Sequence, residues 1–165
     1  MKPLYRNATE ILGRSLLVHQ LTMGGLEVAA PLCDRGVDLI AWLWLPKAAG
    51  MLAVPIQLKA AAEGSFSLDR KYERIPNLVL AYVWRVKVPA RALVFALSYP
   101  EAVSVAQDMG YTRTESWAQG HYVVTRPGRK LLERLEPHRM EPQLWKSKLR
   151  TIAGLGWARA AASGT

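Results

Sequence analysis

The sequence predicts a mixed α/β domain built around a central sheet, and three observations carry that reading. The chain has 165 residues, 50% of them hydrophobic and 21% charged, enough for one domain with a sizeable core. Several short runs rich in Val, Leu, Ile, Tyr and Trp are bounded by Gly or Pro, as strands are. Stretches with helix-capping and helix-ending signals come before and after them, so strands and helices interleave along the chain.

The elements follow in order. Asn7 as a cap, with Glu10 as the return half of a capping box, predicts a first helix whose apolar stripe is Ile11, Leu12, Leu16, Leu17 and Leu21, ending at Gly24-Gly25. Leu26 to Ala30 is a short strand. After the turn residues Asp34-Arg35-Gly36, Val37 to Leu45 and Leu52 to Ala60 flank a loop with Pro46 and Gly50 and read as a hairpin. Ser67 to Ile75 is expected as a short helix stopped by Pro76. Leu78 to Val86 and Ala92 to Leu97 are two further strands. Ser98 and Glu101 form a second capping box, with Pro100 in the first turn and Gly110 at the end. Thr112 to Thr125 is expected as a loop with a β-ribbon, and Gly128 to Leu135 and Pro142 to Ile152 as helices. Residues 1–98 are expected to form the core and 99–165 an extension packed on the same domain.

Composition narrows the class. The 22 Lys and Arg against 13 Asp and Glu leave a net charge of +9, which favours an anionic partner, because basic fields attract phosphate backbones. One cysteine, Cys33, cannot form an internal disulfide or a multi-thiolate zinc site and fits a reducing cytoplasm. Lys2, Arg6 and Glu10 precede any apolar run, so no signal peptide is visible. The most apolar stretches, Leu39 to Pro46 and Ala48 to Leu58, are split by Lys47 and are shorter than the roughly 20 residues a membrane span needs. They read as two buried strands.

Chemistry concentrates on the hairpin. Residues two apart on a strand share a face, so Gln57 and Lys59 project together, and pairing brings Asp38 to the same end. An acid, an amide and an amine among apolar neighbours need a metal, a ligand or one another. For phosphodiester hydrolysis their roles are clear. Asp38, the Gln57 carbonyl oxygen and the Leu58 backbone carbonyl suit a hard cation, and the Lys59 ammonium can orient a water. The Lys59 pKa is lowered by burial or raised by Asp38, and the two effects oppose each other. The bland alternative is an Asp38–Lys59 ion pair closing one end of the sheet.

Asp38 followed across a hairpin by Gln57-Leu58-Lys59 resembles the PD-(D/E)XK nuclease superfamily. Glu10-Ile11-Leu12-Gly13-Arg14 on a first helix, a glycine turn, a strand to Pro31 and Gly36-Val37-Asp38-Leu39-Ile40-Ala41 are similar in layout to archaeal-type Holliday junction resolvases. The likeness covers Ala8 to Trp84. It implies a restriction-endonuclease-like αβββαβ core with a mixed central sheet and a small C-terminal α+β extension. It also implies a Mg²⁺-dependent or Mn²⁺-dependent endonuclease that cuts DNA to leave a 5′-phosphate, and many relatives dimerise. Asp38, Gln57 and the Leu58 carbonyl would hold the metal, Lys59 would orient water, and Glu10 would be an auxiliary metal residue unless it serves the capping box. Two departures stand out. Gln57 replaces the usual Glu, a variant found in a cyanobacterial group of homing endonucleases, and removes one negative charge. Pro55 lies inside the third strand, where a bulge or a strand start at Ile56 would accommodate it. An inactive DNA-binding descendant and a structural or assembly subunit are the alternatives.

Basic residues supply candidate DNA contacts: Arg126, Arg129 and Lys130 at a helix start, and Lys71 and Arg74 after the motif. Trp42, Trp44 and Trp84 lie in strands and read as core, while His19, His121 and His138 show no metal-ligand spacing.

Overall fold

A computed structural model describes the backbone of residues 2–33, 35–45 and 50–162, and the side chains of 8–33, 35–45 and 50–154. Five strands form one mixed sheet in the order β1 (Glu27–Ala29), β2 (Leu39–Leu45), β3 (Gly50–Ala61), β5 (Val79–Trp84) and β6 (Leu93–Ser98). All neighbours are antiparallel except β3 and β5, which run parallel. The predicted mixed α/β class holds. The parallel step needs a crossover, supplied by β4 (Phe66–Asp69) and a 3₁₀ turn over Arg70–Arg74.

That crossover corrects the helix expected over Ser67 to Ile75. Phe66 and Leu68 alternate with Ser67 and Asp69 and bury only the apolar pair, a strand period, and the Asp69 side chain then caps the 3₁₀ turn through the Lys71 amide. The partner of β4 is β7 (His121–Val124), so the expected β-ribbon pairs with a strand distant in sequence. Between β6 and β7 come α2 (Tyr99–Asp108) and the short α3 (Glu115–Ala118), and after β7 come α4 (Arg129–Leu135) and α5 (Trp145–Ala162). The Ser98–Glu101 capping box is present.

The first helix, α1, spans Lys2–Met23, so Asn7 lies inside it rather than at its start, and Glu10 is not in a first turn that a capping box would close. Its buried line runs Gly13, Leu17 and Leu21, whereas Ile11 and Leu12 are exposed. At Gly13 the helix meets β3 so closely that an added Cβ would lie 2.4 Å from the Ala60 Cβ. Glycine costs about 1 kcal/mol of helix propensity there, and close helix–sheet contact is what it permits.

Side chains alternate between two cores. Leu17, Val54, Ile56, Leu58, Ala81 and Trp145 lie in one, under α1 and α5. Phe66, Leu80, Tyr82, Phe95, Val105 and Leu131 lie in the other, under α2, α4 and the β4–β7 ribbon. Strands β5 and β6 are buried on both faces. By contrast β2 buries one face only, so the expectation of a buried strand holds there for alternate residues alone. Trp44 is 66% exposed and gives its indole N–H to Glu27 at 3.2 Å, so it is not core, and Trp42 is half-buried; Trp84 is core as expected.

Pro55 sits in an unbroken β3, in register with Ile40, with neither a bulge nor a strand start beside it. Pairing with β5 begins one residue later at Ile56, so at Pro55 the strand is paired on one edge, the condition under which a strand tolerates proline. Asp34 and Pro46 lie outside the described residues. Among the described residues no helix is long and apolar enough to cross a membrane.

One ion pair ties α5 to the start of α2, beside the end of β6. Lys148 on α5 bonds both Glu101 carboxylate oxygens at 2.9 and 2.8 Å, while His138 Nδ1 lies 3.8 Å from Glu101 Oε1. Burial pushes the Glu101 carboxyl up, but Lys148 and the Ser98 amide more than offset this and hold it below the ordinary range. Burial pushes the His138 imidazole down, with Lys148 acting in the same direction against the pull of Glu101. Both groups therefore bind protons more readily in the unfolded chain, and acid favours unfolding. His138 begins to cost stability as pH falls below about 6.5, and Glu101 follows from about 4.5 downward. Urea midpoints should decline through this range, His138→Gln should flatten the upper part, and Lys148→Met should lower stability by about 2 kcal/mol. A midpoint constant from about pH 7 to 4 would contradict this account.

Candidate active site

The site forms where β3 changes partners. Ile56 is the last residue of β3 paired with β2, opposite Leu39, and the first paired with β5, opposite Val79. From Gln57 onward the β2-side edge of β3 has lost its strand. Asp38, just before β2, takes the place of a neighbour. Its amide bonds the Ile56 carbonyl at 2.8 Å, and its Oδ2 accepts the Leu58 amide at 2.7 Å. The preceding Gly36 has φ +86°, a conformation suited to glycine, and this turn aims the Asp38 side chain back at β3.

The predicted triad converges. Asp38, Gln57, Leu58 and Lys59 line one open cleft of about 650 Å³, together with Glu10, Thr9, Ser65 of the β3–β4 turn and Ser67 of β4. Gln57 is buried. Its Nε2 donates to Asp38 Oδ2 and, at 3.3 Å, to the Leu58 carbonyl, while its Oε1 is buried without a hydrogen-bond partner. Leaving such an acceptor unmet costs about 1–3 kcal/mol.

That orphaned oxygen is a test of whether a cation fits. Turning the amide by half a turn about its soft terminal torsion exchanges Oε1 for Nε2. Three oxygens, Asp38 Oδ2, Gln57 Oε1 and the Leu58 carbonyl, then face one another, which is unfavourable unless a cation stands among them. The donor set is hard oxygen, as Mg²⁺ and Mn²⁺ prefer, so the residues fit such an ion. It is a lean set: among the described residues no three His, Cys, Asp or Glu side chains gather as a metal site.

Glu10 lines the cleft but is 60% exposed on its side chain and bonds Arg14 at 3.1 Å. Arg14 reaches Asp38 as well, donating to its carbonyl at 3.3 Å and standing 4.0 Å from Oδ1. Lys59 donates from Nζ to the buried Tyr72 Oη at 2.9 Å and lies 5.0 Å from that ring's centre. Lys71 lies 5.2 Å from the same ring and pairs with Asp69 at 3.3 Å, and Arg74 is exposed on the same turn. Arg126 and Arg129 do not line this cleft; they line a recess on the far side of the β3–β4 turn, with the exposed Lys130 beside them.

Sequence reasoning missed Arg14 and Tyr72 as site residues. Arg14, four residues after Glu10, shares its helix face and was legible as an i,i+4 partner. Tyr72 carried no signal, because its contact with Lys59 depends on the path of the crossover.

Neither a known protein family nor a curated protein sequence matches the chain. The fold is similar to the solved structure of a bacterial homing endonuclease, I-Ssp6803I, at 14% identity and a TM-score of 0.47, covering 89% of this chain and 92% of that one.

Replacing Gln57 by Glu would add a second carboxylate beside Asp38. Gln57→Glu is expected to lower stability without metal, through like-charge repulsion, and to tighten Mn²⁺ binding about tenfold or more, because cation affinity follows ligand charge. Calorimetric titration showing equal affinity in both proteins would remove residue 57 from the ligand set.

Proposed function

We propose that the protein is a metal-dependent DNA endonuclease, with Asp38, Gln57 and the Leu58 carbonyl as the cation's ligands and Lys59 as the residue that orients the attacking water. The observation that carries this is the convergence of Asp38 Oδ2, the Leu58 carbonyl and an unsatisfied Gln57 Oε1 beside Lys59 in one open cleft. The positive balance of the chain and the presence of Lys59 in the cleft lining support an anionic polymer as substrate.

When bound, Mg²⁺ or Mn²⁺ supplies charge neutralisation at the phosphodiester. The chain's own residues do the rest. Asp38 is held by the Leu58 amide, so its carboxylate is oriented before substrate arrives. Lys59 contributes a positive charge at the scissile phosphate and a hydrogen bond that aligns the water for attack at phosphorus as the P–O3′ bond breaks. Tyr72 positions Lys59 by accepting a hydrogen bond from its Nζ at the hydroxyl oxygen and by offering its ring face to the cation. Arg14 anchors Asp38 from the helix side, and Glu10 acts through Arg14. Arg74, Arg126, Arg129 and Lys130 are proposed contacts to the DNA backbone.

With Mg²⁺ or Mn²⁺ the protein should convert supercoiled plasmid to nicked circles, and Asp38→Ala and Lys59→Ala should lose at least about 100-fold in rate while folding and binding DNA. Cleavage unaffected by both substitutions would refute the site, and salt-sensitive binding without cleavage on any substrate would favour a non-catalytic DNA-binding protein. Tyr72→Phe keeps the ring and removes the hydroxyl. It should slow nicking about tenfold, leave DNA affinity unchanged and shift the pH profile of the rate, whereas a purely structural role would move stability alone.

A further inference from the structure

On the other side of the β3–β4 turn lies a recess of about 300 Å³. Its charged lining is Arg85, Arg126, Arg129 and Glu63, so three guanidiniums face one carboxylate. Arg129 gives its Nε to Glu133 at 2.8 Å and is largely exposed, which leaves Arg85 and Arg126 as the principal cations of the recess. The wall is rigid: Trp84 is buried and its indole N–H bonds the Ser65 carbonyl at 2.8 Å. A space of this size is at the low end for a ligand site and accommodates one phosphate with its sugar rather than a duplex.

Arg85 is the unusual element. Its φ is +58°, in the left-handed region where glycine sits without cost, and it follows the fully paired end of β5 between two buried residues, Trp84 and Val86. The chain thus keeps a large cationic side chain at a backbone position that disfavours it, and that conformation turns the side chain to the recess.

The recess and the cleft share one turn of chain. Ala61, Ala62 and Ser65 line the cleft, and Glu63 and Gly64 between them line the recess. A polyanion lying in the cleft and passing over this turn meets the arginines next. We infer that the Arg85–Arg126 recess is a second phosphate-binding site, which takes an internal phosphodiester of the DNA strand whose neighbouring segment occupies the cleft. This rests on the nuclease reading and adds to it a fixed register between the strand and the Lys59 site.

The test measures affinity for a fluorescent DNA duplex in EDTA over a salt series, with the intact protein, Arg85→Gly, Arg126→Ala and the exposed α5 control Arg150→Ala. Glycine suits φ +58°, so the first variant removes the guanidinium without straining the turn. Each recess variant should lower the salt slope by about 0.9, and the control should keep the wild-type slope. Unchanged slopes in the recess variants, or equal losses in all three, would overturn the site. Affinity that depends on a 5′-phosphate at the duplex end would overturn the internal assignment in favour of a terminal phosphate. Wild-type protein that neither binds DNA nor nicks plasmid with Mg²⁺ or Mn²⁺ overturns the nuclease reading and the recess together, while unchanged slopes, or no binding in EDTA, in a protein that nicks plasmid overturn the recess alone.

Discussion

The hydrogen bond from the Leu58 amide to Asp38 Oδ2 closes the sheet at the point where β3 stops pairing with β2 and starts pairing with β5. A strand that loses its neighbour exposes a row of amides and carbonyls, and each must find a partner or meet water. Here the Asp38 carboxylate satisfies the first exposed amide. The Leu58 carbonyl, on the same edge, is left to the Gln57 side chain at the long distance of 3.3 Å. A sheet defect thus becomes an oxygen-lined corner, and the cleft is the space that β2 would have filled had it continued.

The surrounding structure holds that corner from three directions. Gly13 lets α1 lie against Ala60, which brings Arg14 to Asp38 and Glu10 to the cleft wall. The crossover carries Tyr72 under Lys59, and the same ring lies against Gly36 of the Asp38 turn, where an added Cβ would stand 3.5 Å from its Cε1. One buried tyrosine therefore touches both the turn that places the acid and the amine that faces it. The third support is the β4–β7 ribbon, fastened to β5 by the Tyr82 hydroxyl on the Ser67 carbonyl at 2.8 Å and by Phe66 stacked on the Tyr82 ring. Burial pushes the Tyr82 phenol well above its usual pKa, so this fastening stays protonated over the range in which the protein is folded.

Much of this was legible in the sequence because it follows from short-range rules. The period of two placed Gln57 and Lys59 on one face, and the hairpin brought Asp38 to them. The Ser98–Glu101 box needed only spacing three apart. What failed depended on long-range packing. Asn7 looks like a helix start in isolation, yet α1 begins earlier at Lys2. Ser67 to Ile75 reads as polar and helical until β7, from the far end of the chain, supplies the partner that makes Phe66–Asp69 a strand. Trp44 reads as core because tryptophan in a strand normally is, but nothing in the local sequence tells that one face of β2 is left uncovered. Tyr72 was invisible for the same reason, since its role is defined by where the crossover runs.

The electrostatics of the cleft bear on the role of the Gln57 amide. Asp38 and Glu10 are its carboxylates; Arg14 contacts both, and Lys59 lines the same cleft. Such a site attracts a dication weakly by itself, since Arg14 already shares its charge with both acids. On the nuclease reading a phosphodiester reverses that balance: its negative charge is drawn by Arg14 and Lys59 and, once there, adds oxygen ligands and charge to the corner. Mg²⁺ commonly binds through one or two carboxylates completed by substrate phosphate. On the nuclease reading, Gln57 therefore makes the metal and the nucleic acid mutually dependent, each raising the affinity for the other by the same factor. On that reading the Gln57 amide, which donates to Asp38, is the element with two states, because its half-turn would exchange a proton donor for a ligand oxygen.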